Sequence, residues 1–175
     1  MGSTLTVDNI VGATTAANVK LPAGCILQCL TTTKTDTFAS SSASNQVVTG
    51  LAVSITPKYA TSKILVHASV VGSTSSGARA FVGLGKGGVV LAQGDASSSR
   101  RRCCGQLQNG DTGYMNAITM QFLDSPSTTS ALTYQVLGLP EGGNTPININ
   151  RSSDDADSAA RGRGISTITV MEIAQ

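Results

Sequence analysis

The sequence predicts an all-β fold: an antiparallel β-sandwich of jelly-roll type preceded by a short N-terminal docking segment. Three observations carry that expectation. Runs in which Val, Ile and Leu mix with Thr and Ser recur along the chain, and Gly, Ser, Asn and Pro separate them. Only 3% of residues are aromatic and Trp is absent, so branched aliphatic side chains must fill the core, and those suit a pleated sheet. The last run, from Ile165 to Ile173, sets Ile165, Ile168, Val170, Met171 and Ile173 among Ser, Thr and Glu, which reads as a half-buried strand close to the C-terminus.

Two units are expected, residues 1–22 and residues 23–175. The first holds a short strand pattern, Leu5 to Ile10, and a second apolar piece, Val19 to Leu21. About twenty residues cannot bury a core alone, so Leu5, Val7, Ile10, Val19 and Leu21 are expected to dock on another surface. Pro22-Ala-Gly24 breaks the pattern and opens the run Cys25 to Leu30. Gln46 to Thr56 alternates once a break at Gly50 is allowed for, and Pro57 ends it. Lys63 to Val71 is apolar on both faces at first and reads as a central strand. Arg79 to Leu84 and Val89 to Leu91 flank the turn sequence Gly85-Lys-Gly-Gly88.

Tyr114 to Leu123 and Leu132 to Leu139 alternate, Ile147-Asn-Ile149 is a short strand, and the closing strand brings the expected total to about nine or ten. Helical periodicity is poor throughout, with at most one short turn near Asp154 to Ala160. Eight strands around one core is jelly-roll size. Ser40 to Ser44 and Ser97 to Ser99 read as loops.

Composition narrows the function classes. A net charge of +2 supplies no broad basic field, so no nucleic-acid partner is expected. No window approaches the roughly 20 apolar residues of a membrane helix, so neither membrane insertion nor a signal peptide is expected. Cys25 and Cys29 lie four apart, about 13 Å along a strand, and Cys103 and Cys104 point to opposite faces. Buried thiols are favoured over a four-cysteine zinc site, and the sequence leaves a cross-strand disulfide open.

Arg100-Arg-Arg102 is the densest charge in the chain. On a strand its side chains alternate between faces, so they form one contact surface only if the run sits in a loop. A solvated edge or subunit contact is the plainer reading, and an anion or glycan contact is the functional one. Asp154, Asp155 and Asp157 could gather a hard cation such as calcium. They lack the spacing of a helix-loop-helix calcium loop, and Arg161 and Arg163 favour ion pairing. His67 has no nucleophile and carboxylate around it in sequence. Gly83 to Gly88 lacks Walker spacing and a following helix, so it reads as a hairpin. No catalytic set and no cofactor are expected.

Four stretches together resemble tail-fibre and related virion surface proteins of tailed bacteriophages: Leu5 to Ile10, Thr49 to Val66, Phe122 to Tyr134, and Ser166 to Ile173. They are strand and turn signatures that run in order over nearly the whole chain. The resemblance implies a jelly-roll-like head that assembles as a homotrimer, with Ile165, Ile168, Val170 and Ile173 near the threefold contact. It also implies a place in the virion, after assembly in the host cytoplasm, among other tail or capsid proteins. In the favoured reading the protein is a short tail fibre or receptor-binding tip. Residues 1–22 attach it to the virion, and loops 72–79, 94–113 and 140–163 meet a host surface glycan or protein. The alternative is a trimeric capsid decoration or head-fibre protein that stabilises the head. A carbohydrate-active enzyme would need paired acids in a cleft, and the candidates here lie only in Asp-rich loops.

Overall fold

The computed structural model describes residues 21–141 and 145–175, together with Gly2, Thr6, Val7 and Ile10. Eleven strands occur among them: β1 (Ile26–Lys34), β2 (Phe38–Ser40), β3 (Gln46–Ile55), β4 (Lys63–Ser73), β5 (Arg79–Lys86), β6 (Val89–Val90), β7 (Gly105–Gln108), β8 (Asn116–Asp124), β9 (Leu132–Pro140), β10 (Ile147–Ile149) and β11 (Ser166–Ile173). All pairings between them are antiparallel, in two sheets. The expected β-sandwich is the fold observed.

In the first sheet β4 is central. β11 pairs with it from Lys63 to Ser69 and β8 from Ile64 to Gly72, so the two partners occupy opposite edges. β1 continues the sheet beyond β11. Past Ser69 the edge of β4 passes to β10, which pairs with β2. β10 and β11 therefore form one strand line, broken by residues 150–165, and β1 and β2 form another.

The second sheet runs β3, β9, β5, with β6 and β7 sharing the last edge. Gly85 and Lys86 pair with β6, and Arg79 to Val82 pair with β7. The intervening residues leave this edge and return to it. Gly87 and Gly88 join β5 to β6, with φ of 58° and 83°; a two-residue turn with both φ positive matches the twist of a hairpin, and glycine adopts it without strain.

Strand alternation sets the core. Ile64, Val66, Ala68 and Val70 of β4, Ile168 and Val170 of β11, and Tyr134 and Val136 of β9 are all fully buried between the sheets. On β3, Val48 and Leu51 are both buried although three apart, because the ladder shifts register between Val47 and Ala52 around Gly50, which has φ 85°. The break read at Gly50 is thus a bulge.

Several expectations need correction. β2 and β7 were not anticipated, and the strand expected from Tyr114 begins at Asn116. The proposed trimer contact mixes two faces of β11. Ile168 and Val170 have no exposed surface and belong to the core of the single chain, so they cannot form a subunit contact. Ile173 is half-buried on the opposite face of the strand, and Ile165, 55% exposed, precedes it. Of the docking residues, Leu5 and Val19 lie outside the described residues; Val7, Ile10 and Leu21 are exposed.

The chain enters and leaves at one end of the sandwich. Gly24 N donates to Ala174 O and Ala174 N to Cys25 O, each at 2.9 Å, next to the pairing of Lys63 with Ile173. Ser73, Asn148 and Ala39 mark the opposite end, about 33 Å away at the strand rise along β4. The turn after β4 and the segment between β7 and β8 meet there, through the bridge of Ser76 with Asn109.

Candidate functional site

The excursion between β6 and β7 builds a cleft on the second sheet. It leaves after Leu91, whose N–H donates to Leu84 O at 2.8 Å, and returns at Cys104, whose N–H donates to Val82 O at 3.0 Å. Cys104 Sγ donates to Ala92 O at 3.4 Å and closes the neck. Inside the excursion Arg100 N donates to Ser97 O at 3.1 Å, and Ser98 has φ 49°, so the polypeptide turns immediately before the arginine run. The run is in a loop, the condition under which its side chains serve one surface.

Arg100, Arg101 and Arg102 all line an open cleft of about 280 Å³ with Asn45, Val90, Gln93, Ser99 and Leu139. Glycine in β5 sets its floor. Leu137 and Leu139 project from β9 away from the main core, yet each is only 1% exposed. A Cβ at Gly85 would lie 2.7 Å from Leu137 Cδ1, and one at Gly83 would lie 3.2 Å from Leu139 Cδ1. The missing side chains let both leucines lie across β5, and Leu139 reaches the cleft.

Two of the guanidinium groups, those of Arg100 and Arg102, are held by neutral acceptors. Arg100 Nη1 donates to Ser97 Oγ and Arg102 Nε to Gly94 O, each at 2.6 Å. Among the described residues neither arginine is ion-paired. Every arginine outside the run is matched: Arg79 with Glu141 at 3.1 Å, Arg151 and Arg163 with Asp155 at 2.9 and 2.7 Å, and Arg161 with Asp154 at 2.7 Å. Lys34 and Lys86 pair with Asp36 and Asp124, whereas Lys58 and Lys63 pair with no described carboxylate. No carboxylate lines the cleft among the described residues. Positive charge facing amide, hydroxyl and apolar groups is an arrangement that takes an anion.

The aspartate loop is built differently. Asp154 accepts from Arg161 Nε at 2.8 and 3.0 Å, from Thr112 Oγ1 at 3.1 Å and from Ser152 Oγ at 3.1 Å. The Arg161 bond leads the effects that hold its carboxyl down to about 2. Asp155 bridges Arg151 and Arg163, and Asp157 is exposed and joins neither pair. Among the described residues no three His, Cys, Asp or Glu side chains converge on a metal position. The carboxylates of Asp154 and Asp155 are engaged by arginine, the ion pairing that Arg161 and Arg163 favoured in the sequence.

Asn150 closes that loop where it leaves the sheet. Fully buried at φ 61°, it donates from Nδ2 to Lys34 O at 2.9 Å and Asp36 O at 3.0 Å, and accepts from Ser166 Oγ at 2.6 Å. The cysteines are all free; Cys29 is exposed and the other three are half-buried, Cys104 packing against the core, whereas the sequence favoured buried thiols. His67 is half-buried and faces outward from the first sheet, in register with Thr169 and Gln121.

Two buried polar clusters escaped the sequence reading. Glu172 is fully buried and accepts from Gln28 Nε2 at 2.6 Å, Lys58 N at 2.7 Å and Tyr59 N at 3.3 Å. Burial pushes its carboxyl up, but these hydrogen bonds outweigh it and leave the group below its ordinary value. Asp124, at the end of β8, accepts from Tyr134 Oη and Lys86 Nζ of the other sheet, both at 2.7 Å. Burial, then the bond to Asp124, drives the Tyr134 hydroxyl far above the ordinary range. Parity was the available signal: Glu172 shares a face with Ile168 and Val170, and Asp124 with Met120 and Phe122.

No family model matches the chain, and no curated protein matches its sequence.

Proposed function

We propose that this chain is a non-enzymatic structural protein of a bacteriophage virion. It acts as a trimeric short tail fibre or receptor-binding tip, attached through its N-terminal segment. The strand order supports the jelly-roll type on which that reading depends. With β1 and β2, β6 and β7, and β10 and β11 each counted as one line, the sheets are β1/β2, β10/β11, β4, β8 and β3, β9, β5, β6/β7. Every pair of neighbouring lines is therefore distant in sequence except β5 beside β6/β7, as in two nested Greek keys.

The observation that carries self-association is an apolar row on the outer face of the first sheet. Cys29, Met171, Leu65 and Leu123 lie side by side across four strands, flanked by Ile173 and Ile26. Leu123 is 45% and Ile26 55% exposed, and covering such a row stabilises an assembly at about 25 cal/mol per Å² of apolar surface. The subunit contact thus belongs on Met171 and Ile173. The end at which the chain enters would face the virion, and the opposite end, with residues 74–78 and 109–115, would face outward.

Light scattering coupled to size exclusion tests the assembly. The expected species is three times 17.7 kDa, about 53 kDa, and a monomer would overturn it. Antibody labelling of virions tests the setting: label at the tail tip supports the fibre reading, label over the capsid makes the protein a decoration protein, and unlabelled virions reject both.

A further inference from the structure

We propose that the Arg100–Arg102 cleft binds an acidic saccharide, a sugar ring that carries a carboxylate. The inference rests on the attachment reading above and names the chemistry of one contact, made by the face of the second sheet rather than by the outward end. A carboxylate is planar, and a guanidinium meets it with two parallel N–H bonds. Arg100 and Arg102 are held at Ser97 and Gly94 by neutral acceptors, so their charge is uncompensated by any described carboxylate.

The remaining lining fits the rest of a sugar. Asn45 and Gln93 offer amide donors and acceptors and Ser99 a hydroxyl, which match ring hydroxyls. Val90 and Leu139 offer an apolar surface for the C–H face of the ring. At about 280 Å³ the cleft falls just below the roughly 300–1,000 Å³ of small-molecule sites, a size for one or two sugar units. Single-stranded nucleic acid is the poorer match. Its binders stack bases on aromatic side chains, and no aromatic residue lines this cleft among the described residues.

The test is a calorimetric or NMR titration of the full chain with four probes: N-acetylneuraminic acid, glucuronic acid, glucose and inorganic phosphate. Both acidic sugars are expected to bind at low salt and weaken as salt rises, whereas glucose is not expected to bind. The double variant Arg100→Gln/Arg102→Gln should weaken acidic-sugar binding by about tenfold or more. Arg79→Gln, at an exposed arginine paired with Glu141 outside the cleft, should leave binding unchanged. All these side chains are exposed, and an unchanged thermal melt would show that each variant is folded.

Absence of acidic-sugar binding overturns the proposal. So does an equal loss in Arg79→Gln, which would mean diffuse charge attraction, or phosphate binding as tightly as the sugars, which would mean an anion site indifferent to the ring. Virion labelling remains a separate readout. Labelled virions without sugar binding reject the cleft and keep the setting; sugar binding without labelled virions does the reverse.

Discussion

Glu172 shows how one buried carboxylate ties the closing strand to the loop before β4. Its Oε1 accepts the Lys58 and Tyr59 amides and its Oε2 accepts Gln28, so Glu172→Gln sets an N–H₂ group against at least one donor. The expected cost is about 1–3 kcal/mol at neutral pH, read by urea denaturation. The pH dependence has a definite sign. The folded carboxyl titrates below its ordinary value near 4.5, so its contribution is complete above that value and disappears as pH falls through the lower folded value. The gap between wild type and variant should therefore narrow on acidification, and a constant gap would reject the account.

Tyr134 makes the complementary case: its hydroxyl must stay protonated to donate to Asp124, and it is expected to do so until alkaline unfolding. Ultraviolet titration should show one of the three tyrosines ionising only with loss of structure. Tyr134→Phe should cost about 1.5–3 kcal/mol, the range for a hydrogen bond to a charged group.

At the scale of elements, what was legible depended on hydrophobic period. The long strands β3, β4, β8, β9 and β11 announce themselves by alternation, and the Gly87-Gly88 hairpin by its turn residues. β2 and β7 did not, because Phe-Ala-Ser and Gly-Gln-Leu-Gln are too short and too polar to show a period. Each is held by its neighbours, β2 by β10 and β7 by β5, which is tertiary information. The arginine run was legible as charge and as a surface or ligand contact, but its cleft was not, since that depends on a neck closed by Leu91 and Cys104 and on Asn45 and Leu139 from elsewhere in sequence.

The sequence separated β10 from β11, but the strand line that the two share was hidden. It rests on Asn150, whose left-handed backbone and three side-chain bonds join the two halves of a strand line to β1. Asn150→Ala removes those bonds and leaves an alanine in a conformation it disfavours. The expected loss is about 3 kcal/mol, measured by urea denaturation; a loss within about 0.5 kcal/mol, the range of an ordinary surface substitution, would show that the ion pairs of Asp154 and Asp155 hold the loop without it.

For the whole molecule, the question is which face of the closing strand packs within the chain and which is left to the trimer proposed above, and two neighbouring residues separate the answers. Sequence showed that β11 is half apolar on each side, but periodicity alone cannot say which parity faces inward, and the expected trimer contact therefore drew residues from both. Val170 is fully buried between the sheets, whereas Met171 lies in the outer row with Cys29, Leu65 and Leu123. Val170→Asp places a carboxylate in an apolar core with no partner, and the loss should exceed about 4 kcal/mol and leave unfolded or aggregated chain.

Met171→Asp places the same group on the outer face of the sheet, where Met171 is half-buried in the single chain and the proposed trimer would cover it. Its circular dichroism spectrum should match that of the wild type, while light scattering should fall from about 53 kDa to the 17.7 kDa of one chain. A folded, fully assembled Met171→Asp would remove the outer face of the first sheet from the contact. A folded Val170→Asp would contradict the core itself. Because the substitutions are adjacent and identical in chemistry, a difference between them reports only the side of the sheet on which each carboxylate falls.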